Sequence, residues 1–165
     1  VLPLGAAPTD GSHDFDFFFG RWRVENRRLL KPLSGSTEWK SFGGVQVCVP
    51  VLGGLSNYDE LRTEQGEPVG LSIHTFNRKT GEWSAVWVAS SDGVLQPPMI
   101  GSFANGAGVF FGRDQHEGRP IRVRYTWSHI GTARPRWEQA YSADDGRTWE
   151  TNWVMDYTRD EGAAR

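Results

Sequence analysis

Histidine is the side chain that changes charge near neutrality unaided, so His74 in "GLSIHTFN" is the first place to seek acid–base chemistry. Alternation groups it with Ser72 and Phe76 and sets Leu71, Ile73 and Thr75 on the opposite face; either face can point inward. A second polar cluster stands in "LGGLSNYDEL", where Gly53 and Gly54 permit a sharp turn ahead of Asn57, Tyr58, Asp59 and Glu60. Tyr58 and Glu60 share one face, Asn57 and Asp59 the other, and at most one pair can face inward. Tyr58 is taken as a candidate ligand contact and Glu60, with His74, as a candidate acid or base, while Asp59 reads as a solvated loop charge. Arg28 and Asn26 lie on the Trp22 face of the strand in "GRWRVENRRL" if the alternation holds. If that face is interior, Arg28 needs a partner, because an unpaired buried charge is very costly; Glu60, Gln139 or a ligand carboxylate could supply it. If the strand leaves the wall by Arg27–Arg28, both are exposed.

Other chemistries find no support in the pattern. His13, His74, His116 and His129 are far apart and form no HxH or HExxH unit, so no metal site is expected. A haem-binding barrel could draw on His74 or His129, but no motif marks either, and no cofactor is expected. There is no Gly-x-Ser-x-Gly, phosphate loop or dinucleotide fingerprint. Cys48 is the single cysteine, which excludes an internal disulfide; alternating with Val47 and Val49, it reads as a buried, inert thiol.

The elements that must position these residues are strands. The chain has 165 residues, 13% of them aromatic, with eight Trp, 20 Gly and nine Pro as punctuation, which is the composition of one turn-rich sheet domain. After "SHDFDFFFG", where Ser12 could cap a short helical turn with Phe15, Phe18 and Phe19 on one face, the period changes at Gly20 to that of a strand. Further strands are predicted over Glu38–Val49, Ser56–Arg62, Val69–Phe76, Glu82–Ser90, Met99–Ala104, Val109–Arg113, Ile121–Ser128, Arg136–Ser142 and Trp149–Thr158. Turn material such as "NRKTGE", "SSDG" and "ANGAG" separates them, and connections this short favour antiparallel neighbours. Closing such a meander removes its edges, so the expected fold is all-β: an antiparallel up-and-down barrel of about 8–10 strands with a short N-terminal helical plug; a sandwich is the alternative. Residues 1–11 read as an arm, 12–159 as the barrel and 160–165 as a tail.

One face of several strands is aromatic. Tyr125 and Trp127 alternate with Arg122 and Arg124; Trp137, Gln139 and Tyr141 oppose Glu138 and Ala140; Trp83, Ala85 and Trp87 oppose Ser84 and Val86. In the last strand Trp149, Thr151, Trp153, Met155 and Tyr157 are predicted to share a face. Flat aromatics with isolated hydrogen-bonding groups suit a ligand cavity as well as a solid core. The candidate ligand contacts are Asn26, Arg28, Tyr58, His74, Trp87, Tyr125, Gln139, Tyr141 and Trp153.

"FFFGRWRV" resembles the Gly-x-Trp opening of lipocalin-like, or calycin, barrels, in which a basic residue from the end of the last strand lies over the Trp; Arg159 is placed for that here. With "VLGGLSNYDEL", "EGRPIRVRYTW", "RWEQAYSADDGRTWETNW" and "MDYTR", the chain is similar to a group of bacterial barrel proteins of this type to which no activity is assigned. The resemblance spans nearly the whole domain and implies the fold. "YSADDGRTWETNW" also contains Ser142, Asp144, Gly146 and Trp149 at the spacing of an Asp-box, read as a hairpin device rather than a sugar site.

These residues support three readings: binding of a small apolar or aromatic molecule in a barrel cavity; a cofactor-free cyclase, isomerase or hydratase using the same cavity; or a solid interaction module. A net charge of −2 with mixed signs gives no nucleic-acid or membrane footprint. "VLPLGAAP" lacks a secretory pattern, so a cytoplasmic location is expected, with a small molecule as partner and a homodimer left open.

Overall fold

The computed structural model describes residues 10–162. Residues 1–9 of the expected arm and 163–165 of the tail lie outside that range. Ten strands follow in order: β1 (Gly20–Leu29), β2 (Trp39–Val51), β3 (Ser56–Thr63), β4 (Pro68–Asn77), β5 (Glu82–Ala89), β6 (Met99–Ala104), β7 (Ala107–His116), β8 (Arg119–Ser128), β9 (Arg136–Ser142) and β10 (Glu150–Arg159). Each pairs antiparallel with its sequence neighbour, and β1 also pairs with β10, which closes the barrel. Closure gives each strand a neighbour on both sides.

The helical plug is smaller than expected, a single 3-10 turn at Asp16–Phe18. Ser12 does not cap it; its hydroxyl donates to Asp10 Oδ1 at 2.5 Å. The turn nonetheless inserts Phe15 and Phe18, both fully buried, into the end where β1 begins. Phe18 stacks on Trp22 at 5.9 Å and packs against Trp127 at 4.7 Å and Tyr157 at 5.2 Å. Phe15 meets Trp83 edge-on at 4.8 Å. Trp22 is the residue of the Gly-x-Trp opening. The Arg159 guanidinium lies over its ring at 3.8 Å and donates to the Phe17 carbonyl at 2.8 Å, locking the turn to the last strand. This half of the barrel is therefore solid aromatic core, with ring pairs in offset and edge-on arrangements.

The open half is built differently. β5 and β6 pair over only three positions, Trp83↔Gly101 to Ala85↔Met99. Beyond Ala85 the partner of β5 is the connection itself, through the bridge Val88↔Leu95 and the bond from Gln96 N–H to the Trp87 carbonyl at 2.9 Å. A second departure from regularity lies in β10, where the register shifts between Thr151 and Trp153 against β9. The extra residue, Asn152, reverses the alternation. Trp153, Met155 and Tyr157 face inward, whereas Trp149 packs on the outer wall against Phe111 at 6.0 Å under the Arg124 guanidinium. The expectation that Trp149 shares the inner face of Trp153 is corrected by this bulge.

Candidate functional site

Strand alternation in a closed barrel gives each strand one inward series. β2 sends in Gln46 and Cys48, β3 Asn57, Asp59 and Leu61, and β4 Ser72, His74 and Phe76. Because Asn57 lies opposite His74 and Asp59 opposite Ser72 across the β3–β4 ladder, the polar groups of three adjacent strands meet in one patch of an otherwise aromatic interior.

Hydrogen bonds link the patch. Tyr157 donates its hydroxyl to Gln46 Oε1 at 3.1 Å, and the Gln46 amide donates to Asp59 Oδ1. His74 Nδ1–H donates to Asn57 Oδ1 at 2.8 Å, and the Cys48 thiol donates to the same oxygen at 3.5 Å. The imidazole stacks on Phe15, ring centroids 4.3 Å apart. Asp59 Oδ2 lies 3.6 Å from His74 Nδ1, beyond hydrogen-bond length, and has no partner. Burial dominates the electrostatics. It pushes the Asp59 carboxyl up to about 7, against the pull of Gln46 and Ser72, and the His74 imidazole down to about 3. It also raises the Cys48 thiol and the Tyr157 phenol, so Cys48 is a protonated thiol without nucleophilic character.

Above the patch is a cavity of about 40 Å³, whose walls include Asp59, Ser72 and His74 on one side and Trp87, Trp137 and Trp153 on the other. It adjoins a throat of about 170 Å³, and Trp87, Tyr125, Gln139 and Trp153 form the layer common to both. The throat passes between β5 and β7 where the wall is incomplete, with Gln96, Pro97 and Asp114 at its margin. Arg28 and Tyr141 then join it to an outer vestibule bounded by Leu29, Phe42, Thr63 and His116. The Arg28 guanidinium lies 4.2 Å over the Trp153 ring, and burial there lowers its pKa although its outer edge is exposed. Among the described residues no carboxylate pairs with it. β1 does not leave the wall before Arg28, which still pairs with Lys40 and Trp153 in register.

The structure brings together Arg28, His74, Trp87, Tyr125, Gln139, Tyr141 and Trp153 along this path. It separates the other candidates from it. Tyr58 and Glu60 sit on the outer wall, Tyr58 41% exposed and Glu60 paired with Arg62 at 2.7 Å, so the carboxyl beside His74 is Asp59 and not Glu60. Asn26 is buried in the wall with its Oδ1 accepting from Trp153 Nε1 at 3.0 Å. Gln46, Asp59 and Ser72 also line the cavity, although the sequence pattern does not single them out as contacts. The signal for the phase of Asp59 is Leu61, an apolar residue in phase with Asn57 and Asp59, while Arg62 is in phase with Tyr58 and Glu60.

Among the described residues no three His, Cys, Asp or Glu side chains gather as metal ligands, and no helix is long and apolar enough to cross a membrane. Fold and cavity define a class: a closed, ten-stranded, up-and-down antiparallel barrel, solid at one end and open through an aromatic throat at the other. No family model matches the chain, and no curated protein matches it.

Proposed function

We propose that this lipocalin-like barrel binds a small aromatic or largely apolar molecule, which enters at the vestibule and lodges its flat body in the throat. The observation that carries this reading is the adjacency of three spaces along one line of shared side chains. Interior, throat and vestibule share residues at each junction, and the shared residues are aromatic rings with Gln139 and Arg28 as polar exceptions. Rings supply contact area at low conformational cost, and a few convergent polar groups fix orientation. Arg28, stacked and without a carboxylate, is suited to an anionic group at the outer end of the ligand.

The test uses the fluorescent anionic aromatic 8-anilinonaphthalene-1-sulfonate, with protein Trp emission as second readout. One equivalent should bind and quench the Trp signal. Ala89→Trp, which fills the throat wall, should abolish that binding. Arg28→Ala should weaken it about tenfold while leaving a neutral aromatic probe such as 1-aminonaphthalene nearly unaffected, the loss expected of one charge-assisted contact. Binding that survives Ala89→Trp unchanged would place the probe elsewhere and refute the reading.

A second reading, a cofactor-free proton-transfer enzyme in the same cavity, is favoured by the 3.6 Å approach of the Asp59 and His74 side chains. Turnover lost in both Asp59→Asn and His74→Gln, with probe binding retained, would select it.

A further inference from the structure

Among the described residues Asp59 is the only carboxylate in the buried core, at 1% exposure, and the protein leaves half of it unused. Oδ1 accepts from Gln46, while Oδ2 makes no hydrogen bond. The nearest imidazole nitrogen, His74 Nδ1, directs its proton at Asn57 instead. Gln46 is the direct donor and the Ser72 hydroxyl opposite adds only a weaker pull, so the buried carboxylate, which offers about four acceptor sites, is under-satisfied. A carboxylic acid fits the same surroundings: Oδ1 accepts as before, and Oδ2 carries an O–H. That O–H has no protein acceptor, and the group lines the cavity.

We propose that Asp59 is the polar anchor of the cavity, donating a hydrogen bond from Oδ2 to a carbonyl oxygen at the inner end of a flat aromatic ligand. This rests on the cavity-binding reading above and names the ligand class: an aryl ketone or aldehyde. Size supports it. Against roughly 10–15 Å³ for one water, a cavity of about 40 Å³ takes a group of a few heavy atoms, and the ring must stay in the throat, beside Trp87 and Trp153, which meet edge-on at 5.7 Å. Electrostatics agrees. The titratable groups facing Asp59 are Cys48 from β2, His74 from β4 and Tyr157 from β10, and burial keeps all three neutral around neutral pH. No Arg or Lys forms an ion pair with Asp59 among the described residues. The carboxyl, pushed up to about 7, is a donor below that pH and only an acceptor above it.

The experiment compares acetophenone with ethylbenzene, which has the same shape without the oxygen, and with 1-phenylethylamine, by Trp quenching at about pH 5.5 and 8.5 on either side of the Asp59 transition. In the wild-type chain the affinity ratio of acetophenone to ethylbenzene should fall about tenfold between the two pH values, the effect of one hydrogen bond. Asp59→Asn keeps a donor at every pH, so its ratio should be pH-independent and still favour the ketone. Asp59→Leu should show the low ratio at both pH values; if that variant does not fold, the Asp59→Asn profile decides alone. A wild-type ratio that does not change with pH, or the same profile in Asp59→Asn, overturns the anchor. So does Asp59-dependent binding of the amine that strengthens at high pH, which would make the group a carboxylate receptor for ammonium. If neither aromatic binds at all, the cavity reading fails with it; if both bind with an unchanging ratio, the anchor alone fails.

Discussion

Asp59 and His74 titrate in opposite senses, and that has a consequence for stability that neither has alone. The folded carboxyl is raised to about 7 from an unfolded value near 3.9, so its contribution is present at low pH and lost as pH rises through about 7. The folded imidazole is lowered to about 3 from about 6.5, so its contribution is present at high pH and lost as pH falls toward 3. Between roughly pH 4 and 6.5 the unfolded pair is carboxylate plus imidazolium and the folded pair is acid plus imidazole, each holding one proton. The pair therefore adds no pH slope to stability in that window. Asp59→Asn exposes the histidine slope alone. Relative to wild type, its unfolding free energy should fall by about 1.4 kcal/mol for each pH unit lowered from 6.5 to 4. Urea denaturation of both proteins at three pH values checks this, and parallel stability curves would contradict it.

At the scale of elements, the Asp-box hairpin between β9 and β10 works on itself and not on the cavity. Asp144 Oδ1 accepts from the Thr148 amide at 2.8 Å and Oδ2 from the Thr148 hydroxyl at 2.6 Å, which holds that carboxyl down at about 2. Gly146, at φ +93°, donates to Ser142 Oγ, and Trp149 Nε1 donates back to the Gly146 carbonyl. A Cβ at Gly146 would be strained by that φ and would crowd Arg122 at 3.2 Å. Gly146→Ala should cost about 1–2 kcal/mol by urea denaturation and leave the dissociation constant for anilinonaphthalene sulfonate within about twofold of wild type. Weakened binding at retained stability would instead tie this hairpin to the throat.

The same hairpin shows what the sequence makes legible. Its turn chemistry is local, so Ser142, Asp144, Gly146 and Trp149 can be read from spacing alone, and the strands on either side follow from alternation. Which face of β3 and β4 points inward is not local. It is fixed by closure of ten strands, and "SNYDEL" carries a polar pair in either phase, so that the single apolar Leu61 is all that distinguishes the phase of Asp59 and Asn57 from that of Glu60 and Tyr58. The bulge at Asn152 is still less visible, because one inserted residue changes the phase of Trp149 without changing any residue type. The approach of Asp59 to His74 depends on the phase of both strands, which the ladder Asn57↔His74 fixes together.

Among the described residues the barrel is unevenly built, and its looser side is the one beside the throat. The closed end is locked by the aromatic cluster around Phe15 and Phe18 and by the grip of Arg159 on the Phe17 and Phe19 carbonyls. The weakest seam is β5–β6, with three paired positions, and the throat passes beside it along Gln96, Pro97 and Met99. Few ladder hydrogen bonds on exposed backbone mean a low local opening free energy. On the proposed binding reading, such a seam would let the throat widen for a ligand that has entered at the vestibule, since only the Ser90–Pro98 connection and the start of β6 need yield. Amide exchange should therefore be fastest, among the ten strands, across Met99–Gly101 and the outer half of β5, and slowest in β1 and β10 near Trp22 and Tyr157. Saturating a throat ligand should slow exchange at the seam by a factor approaching the ratio of ligand concentration to its dissociation constant, while the closed end stays unchanged. Protection at the closed end with none at the seam would mean that the ligand does not lodge in the throat.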